Sequence, residues 1–166
     1  MDHQKVVRVL IVDDHRIVRD GIKALLYDVE DIVITEEAEN GEDALEKLRK
    51  ISSDVDVVLM DVDMPVMDGI MATHLITEKY PKIKVLALSM HDDESHIINM
   101  LQEGTAGYIL KTTGQKELTK ALRLVAEGHS YFTKEASEVM LGYIAQKKPV
   151  KKERYKGELT KREREI

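Results

Sequence analysis

Charged and hydroxyl side chains follow four short apolar runs of the chain, each directly after a run ends. An aspartate pair, Asp13 and Asp14, follows the first run, and Asp61 follows a later one. Ser89 and Lys111 follow two further runs. If these runs are neighbouring strands of a parallel sheet, their carboxyl ends meet at one edge of that sheet. The sequence therefore predicts a polar pocket that contains three carboxylates, a hydroxyl and an amine.

Such a pocket is suited to phosphoryl chemistry. Three carboxylates close together raise one another's pKa unless a cation neutralises them, and hard oxygen ligands suit Mg²⁺. Lys111 would bind phosphoryl oxygens, Ser89 would donate a hydrogen bond, and Asp61 would be a nucleophile that becomes an acyl phosphate. Taken singly, these residues are more often helix caps, turn residues or surface lysines. Their joint placement at strand ends favours a site.

The apolar runs alternate with segments of helical periodicity over the first 128 residues. Because parallel strands need helical crossovers, five strands alternating with five helices predict an α/β protein with a doubly wound parallel sheet in the order 2-1-3-4-5. The predicted strands are residues 6–12, 31–38, 56–60, 83–88 and 107–110. The predicted helices are residues 15–27, 67–80, 93–102 and 115–127, with one more that Asn40 caps.

Composition limits the class of protein. The 166 residues are 43% hydrophobic, which is enough to bury a core. The lack of cysteine excludes a disulfide framework, a thiol nucleophile and a cysteine-bound metal. No run approaches the roughly 20 apolar residues of a membrane span, and the polar N-terminus is unlike a signal peptide. We therefore expect a cytoplasmic protein with no membrane contact.

Charge divides the chain into two parts. Residues 147–166 contain nine Lys or Arg and four Glu, which gives this segment a net charge of +5. Because the whole chain has a net charge of −6, the first 146 residues have a net charge of −11. This asymmetry predicts an acidic globular part followed by a basic segment. A basic segment can attract nucleic acid, but a solvated linker is the favoured interpretation.

Residues 5 to about 128 resemble the response-regulator receiver domain of two-component signalling. The resemblance is carried by the pair Asp13-Asp14, by the segment Met60-Asp61-Val62-Asp63-Met64-Pro65-Val66-Met67-Asp68-Gly69, by Leu88-Ser89 and by Tyr108-Ile109-Leu110-Lys111. It implies a flavodoxin-like (βα)5 fold in which Asp61 is the phospho-acceptor. It also implies that Asp14 and Asp61 bind Mg²⁺ directly with the backbone carbonyl of Asp63, while Asp13 holds metal-bound water.

The same resemblance implies a switch beside the phospho-acceptor. Ser89 and Lys111 would bind the phosphoryl group. The Ser89 hydroxyl would move toward the phosphate, and the ring of Tyr108 would turn inward into the space that it leaves. Phosphorylation adds charge and acceptor oxygens at this position, so it would bias a two-state surface on the fourth helix, fifth strand and fifth helix.

The chain after residue 128 has a different character. Thr133 is predicted to cap a short linker helix, and the basic stretch 147–152 is predicted to be a flexible tether. Residues 159–166 resemble the opening of the helix-turn-helix effector of NarL/FixJ-type regulators. We therefore expect a receiver at 1–128, a linker helix and tether at 129–158, and the start of a truncated DNA-binding domain at 159–166.

The implied function is a phosphorylation-driven switch and not a turnover enzyme. A sensor histidine kinase would phosphorylate Asp61, and the intact protein would control transcription through a DNA-binding domain absent from this chain. Formation of a homodimer on phosphorylation is a further hypothesis. One alternative is a haloacid-dehalogenase-like phosphatase, because Asp61-Val62-Asp63 fits its D-x-D motif. Against it, Asp13 and Asp14 would have no role. The other alternative is a non-phosphorylated pseudo-receiver, which the complete acidic set disfavours.

Overall fold

The computed structural model describes residues 5–90 and 93–157. Within these residues, strands and helices alternate along the chain, and a 3-10 turn at Ser52–Asp54 precedes the third strand. The strands are β1 Val7–Val12, β2 Ile32–Ala38, β3 Val57–Asp61, β4 Lys84–Ser89, β5 Gly107–Leu110 and β6 Tyr131–Phe132. The helices are α1 Arg16–Leu26, α2 Gly41–Ile51, α3 Gly69–Lys79, α4 Glu94–Gln102, α5 Gln115–Ala126 and α6 Lys134–Gly157.

The strands form one parallel sheet in the order β2-β1-β3-β4-β5-β6. The predicted doubly wound fold and the order 2-1-3-4-5 are confirmed. The strand β6 is an addition, since the sequence predicted only a connection at these residues. It pairs with β5, where Tyr131 N donates to Ala106 O at 3.2 Å and Thr133 N donates to Tyr108 O at 3.2 Å. Two residues are too few to produce a strand pattern in a sequence.

The central strands are buried on both faces, which explains their nearly continuous apolar runs. Leu10 and Met60 belong to the core that packs under α2, α3 and α4. Their neighbours Ile11 and Leu59 belong to the opposite core, under α1 and α5. With both faces covered by helices, the carboxyl-end edge of the sheet is left as the place where polar side chains can gather.

Several helix ends match the sequence signals. Asn40 caps α2, because its side-chain oxygen accepts a hydrogen bond from Asp43 N at 2.8 Å. Gly104 and Gly128 follow α4 and α5 with φ of 92° and 97°, a backbone conformation that favours glycine. Each cap satisfies backbone groups that the last or first turn leaves without a partner, so these residues set where the helices begin and end.

Helix α6 packs on α4. Its cap is the predicted one, since Ala136 N donates to Thr133 Oγ1 at 3.2 Å. Ala136 is buried in the core of the α4 side, and Gln102 donates to the Tyr143 hydroxyl at 3.0 Å. The helix continues through residues 147–152, for which the sequence predicted a tether. Residues 159–166, with the predicted start of a DNA-binding domain, lie outside the described residues. No helix in the described part of the chain is long and apolar enough to span a membrane.

Candidate functional site

The predicted site residues lie at the carboxyl-end edge of the sheet. Asp13 and Asp14 follow β1, Asp61 is the last residue of β3, Ser89 is the last of β4, and Lys111 follows β5. Asp13, Asp61 and Ser89 are almost completely buried. The sheet order explains this gathering, because β1, β3, β4 and β5 are successive neighbours and all run in the same direction.

Lys111 joins two of the aspartates. Its Nζ lies 2.7 Å from Asp13 Oδ2 and 3.1 Å from Asp61 Oδ1. The backbone places this lysine next to β4, since Lys111 N donates to Ser89 O at 2.8 Å. The structure thus brings Asp13, Asp14, Asp61 and Lys111 together, with Ser89 on the adjacent strand.

The charges in the pocket perturb the nucleophile candidate. Burial raises the pKa of Asp61 to about 7, the negative charge of Asp13 adds to this rise, and Lys111 offsets part of it. Burial opposes the charged form of Lys111, but its hydrogen bond to Asp13 and the nearby Asp61 outweigh that effect and raise the pKa of Lys111. The pocket therefore holds a fixed cation and a carboxylate whose ionised form is disfavoured in the absence of a further cation.

The remaining oxygens can accept a metal ion. One ligand atom from each of Asp13, Asp14, His15 and Asp61 can be chosen so that all lie within 4.8 Å of one another. Asp61 Oδ2 is buried and has no hydrogen-bond partner, and Asp14 Oδ1 also lacks a hydrogen bond. Buried carboxylate oxygens without partners are costly, and a cation would satisfy them. This donor set fits a hard divalent ion such as Mg²⁺.

His15 is the member of this cluster that the sequence analysis missed. Its Nδ1 lies 3.3 Å from Asp14 Oδ1 and 3.5 Å from Asp13 Oδ1. The signal was present in the sequence, because a metal-ligating residue type directly follows the aspartate pair. The sequence alone does not identify His15 as a metal ligand, because a single histidine at the start of a helix is common without any functional role.

The loop after Asp61 is held closely by hydrogen bonds. Gly69 N donates to Val62 O at 2.9 Å, and Asp68 caps α3 by accepting from Met71 N at 2.9 Å. A Cβ on Gly69 would lie 2.0 Å from the carbonyl oxygen of Asp61, so the backbone can pass there only without a side chain. Val66 has φ of 70°, which is unfavourable for a β-branched residue. This loop fixes the backbone on which Asp61 is presented.

Two further predicted site residues are not among the clustered ligand atoms of Asp13, Asp14, His15 and Asp61. The Asp63 carboxylate is 68% exposed, and its Oδ1 lies 3.5 Å from His96 Nε2 on α4. Tyr108 is completely buried within the core on the α4 side of the sheet. The metal role of the Asp63 carbonyl and the switch role of Tyr108 remain predictions.

Comparison with known proteins assigns the chain to a family. Residues 9–123 match the family described as response regulator receiver domain, so the chain belongs to that family.

The chain is similar to bacterial regulators. It is 37% identical over 129 residues to the transcriptional regulatory protein DegU of Brevibacillus brevis, which covers 78% of this chain and 54% of DegU. It is 35% identical over 161 residues to the response regulator UvrY of Escherichia coli, which covers 97% of this chain and 72% of UvrY. This chain therefore spans about half the length of DegU.

A solved structure has the same fold. It is the crystal structure of a two-component response regulator of the LuxR family from Aurantimonas sp., with a TM-score of 0.77 and 25% sequence identity. The match covers 85% of this chain and 99% of that one. The additional residues of this chain thus have no counterpart in that match.

Proposed function

We propose that this protein is the receiver of a cytoplasmic two-component regulator that is phosphorylated on Asp61 by a sensor histidine kinase. The observation that carries the proposal is the contact of Lys111 with the buried Asp61, 3.1 Å apart, in a pocket with further carboxylates. Such a pocket combines a nucleophile, a fixed positive charge for phosphoryl oxygens, and oxygen ligands for a cation. The two-component and transcription roles are inferred from those of the similar proteins, the transcriptional regulatory protein DegU and the two-component response regulator of the LuxR family.

The chemistry is transfer of one phosphoryl group. An oxygen of the Asp61 carboxylate attacks phosphorus, the P–N bond to the kinase histidine breaks, and the leaving imidazole keeps the electron pair. Lys111 binds a phosphoryl oxygen while it retains its ion pair with Asp13, and Ser89 donates a hydrogen bond to another oxygen. When bound, Mg²⁺ supplies charge that offsets the negative charge of the transferring group. Asp14, Asp61 and the Asp63 carbonyl would hold it, with Asp13 binding through water.

Tyr108 would pass the change to the rest of the protein. Its strand is the neighbour of β4, which ends in Ser89, and its carbonyl accepts a hydrogen bond from Thr133 N at the start of α6. A shift of Ser89 toward the phosphoryl group would alter the packing of the Tyr108 ring, and the same strand is bonded to β6. In a longer protein, α6 would connect this movement to a DNA-binding domain, and phosphorylation would favour a homodimer.

The test is phosphorylation by a small donor. The protein is incubated with acetyl phosphate and Mg²⁺, and intact mass is measured for the unmodified sequence and for Asp61→Asn. We expect the unmodified protein to gain one phosphoryl group and the variant to gain none. Asp63→Asn is the matched control, since its exposed carboxylate should not be needed. Equal labelling of the Asp61 variant would contradict the assignment, and turnover of phosphate esters would favour the phosphatase alternative.

A further inference from the structure

His15 lies at the entrance of the acidic pocket. Its backbone N–H donates to Asp13 Oδ1 at 2.8 Å, which fixes the residue beside the carboxylates. Its ring Nδ1 lies 3.3 Å from Asp14 Oδ1, and the side chain is 64% exposed. The ring is therefore positioned against the aspartates without being enclosed by packing, so it can reorient toward a bound ion.

Imidazole nitrogen changes which ions a carboxylate site prefers. Mg²⁺ takes oxygen ligands, whereas Mn²⁺, Co²⁺ and Zn²⁺ also bind imidazole, with affinity that generally increases from Mn²⁺ to Co²⁺. The ligand atoms of His15, Asp14 and Asp61 lie within 4.8 Å of one another, as ligands of one ion must. The buried Asp61 Oδ2 has no hydrogen-bond partner, so it is an unsatisfied acceptor that a cation could bind.

We propose that His15 is a metal ligand for divalent transition ions, and that it gives this pocket a preference for Mn²⁺ and Co²⁺ over Mg²⁺. The inference rests on the proposed function to the extent that the acidic pocket must be a divalent-cation site. In this arrangement Mg²⁺ is bound by oxygen ligands alone, and a transition ion gains the imidazole of His15 as an additional ligand. The identity of the bound ion therefore depends on a residue that the phosphoryl chemistry itself does not require.

The test compares metal affinities of the purified protein at pH 7.5, where free imidazole is mostly neutral. Dissociation constants for Mg²⁺, Mn²⁺ and Co²⁺ are measured by calorimetry for the unmodified protein, His15→Gln and His129→Gln. The matched control is His129, which is 65% exposed and pairs with Glu127. We expect His15→Gln to weaken Mn²⁺ and Co²⁺ binding by about tenfold or more, since even the loss of an outer partner of a metal ligand typically costs about 10–100-fold in affinity. Mg²⁺ binding should stay within about twofold.

Pulsed electron paramagnetic resonance of bound Mn²⁺ gives an independent measurement. Imidazole nitrogen coupling should be present in the unmodified protein and in His129→Gln, and lost in His15→Gln. Persistence of that coupling in His15→Gln, or an equal loss of Mg²⁺ and Mn²⁺ affinity, would overturn the proposal. A double variant, Asp13→Asn with Asp14→Asn, distinguishes failure of the His15 proposal from failure of the proposed function. If this variant binds all three ions normally, the acidic pocket is not the metal site, and the part of the proposed function that requires a cation in this pocket is wrong.

Discussion

Replacing Asp61 with asparagine should stabilise the metal-free protein. The Asp61 side chain is almost fully buried, and its pKa is raised to about 7 by burial and by Asp13. Ionising it in the folded state is therefore costly, whereas the unfolded chain ionises it freely. Asparagine has nearly the same shape but no charge to bury. The expected gain is large at pH 8 and small near pH 4.

The direction and the size of this gain in stability follow from the linkage between protonation of Asp61 and folding. Between pH 3.8 and about 7, the folded state keeps a proton on Asp61 that the unfolded state releases. The free energy of unfolding contributed by this group therefore falls as pH rises through that window. A shift of roughly three pKa units at about 1.4 kcal/mol each gives an upper limit of about 4 kcal/mol. The pKa of about 7 already includes the opposing effect of Lys111, so we expect a gain of at most about 4 kcal/mol at pH 8.

Urea unfolding in the presence of EDTA, repeated from pH 4 to pH 8, measures this difference directly. Subtracting the free energy of unfolding of the unmodified protein from that of Asp61→Asn at each pH removes the contributions of carboxylates that behave alike in both proteins. Asp63→Asn, with its exposed side chain, should change stability by less than about 0.5 kcal/mol. Mg²⁺ should reduce the difference in free energy of unfolding between Asp61→Asn and the unmodified protein, because it stabilises the ionised Asp61. The reasoning fails if Asp61→Asn is less stable than the unmodified protein at pH 8, or if the difference does not grow with pH.

Substitutions at Gly69 and Asn40 test the loop after Asp61 and the cap of α2. Gly69→Ala should destabilise the fold by about 3 kcal/mol or more, because its Cβ would meet the Asp61 carbonyl; Gly142→Ala, in open space on α6, should be neutral or stabilising by up to about 1 kcal/mol. Urea unfolding checks both, and a neutral Gly69→Ala would contradict the geometry. Asn40→Ala should lower the free energy of unfolding by about 1 kcal/mol because it removes the cap of α2, whereas Asn40→Asp should keep the cap and the stability. If thermal unfolding shows that Asn40→Ala and Asn40→Asp are destabilised equally, the side chain of Asn40 does not act as a cap.

The sequence predicted the alternation of elements because the central strands β1, β3 and β4 are buried on both faces, whereas the helices between the strands bury one face. The site followed from the same rule, since residues at the ends of neighbouring parallel strands must meet. Asp13, Asp61 and Lys111 do so, with Lys111 in contact with both aspartates. The role of Asp63 depends on a bound metal ion and those of Ser89 and Tyr108 on a phosphorylated state, so all three are tested only by experiment.

Three features could not be predicted, for different physical reasons. The strand β6 has two residues, too few for a period to be visible. The close approach of Gly69 to Asp61 depends on the path of the whole loop, and a glycine in a sequence does not reveal what it passes. His15 can be recognised as part of the site only from the positions of Asp13 and Asp14 around it, and these positions are known only once the start of α1 is placed in the structure.

The short strand β6 has a consequence for where this protein can be divided. It supplies the outer neighbour of β5, and the adjoining Ala136 is completely buried in the core. A shortened protein that stops at residue 128 would leave the outer backbone groups of β5 without their partners and the apolar surface beneath Ala136 uncovered. Unpaired sheet edges of this kind promote association between chains. Self-association of such a fragment would then result from cutting through the folded unit, and it should not be taken as evidence for a dimer of the intact protein.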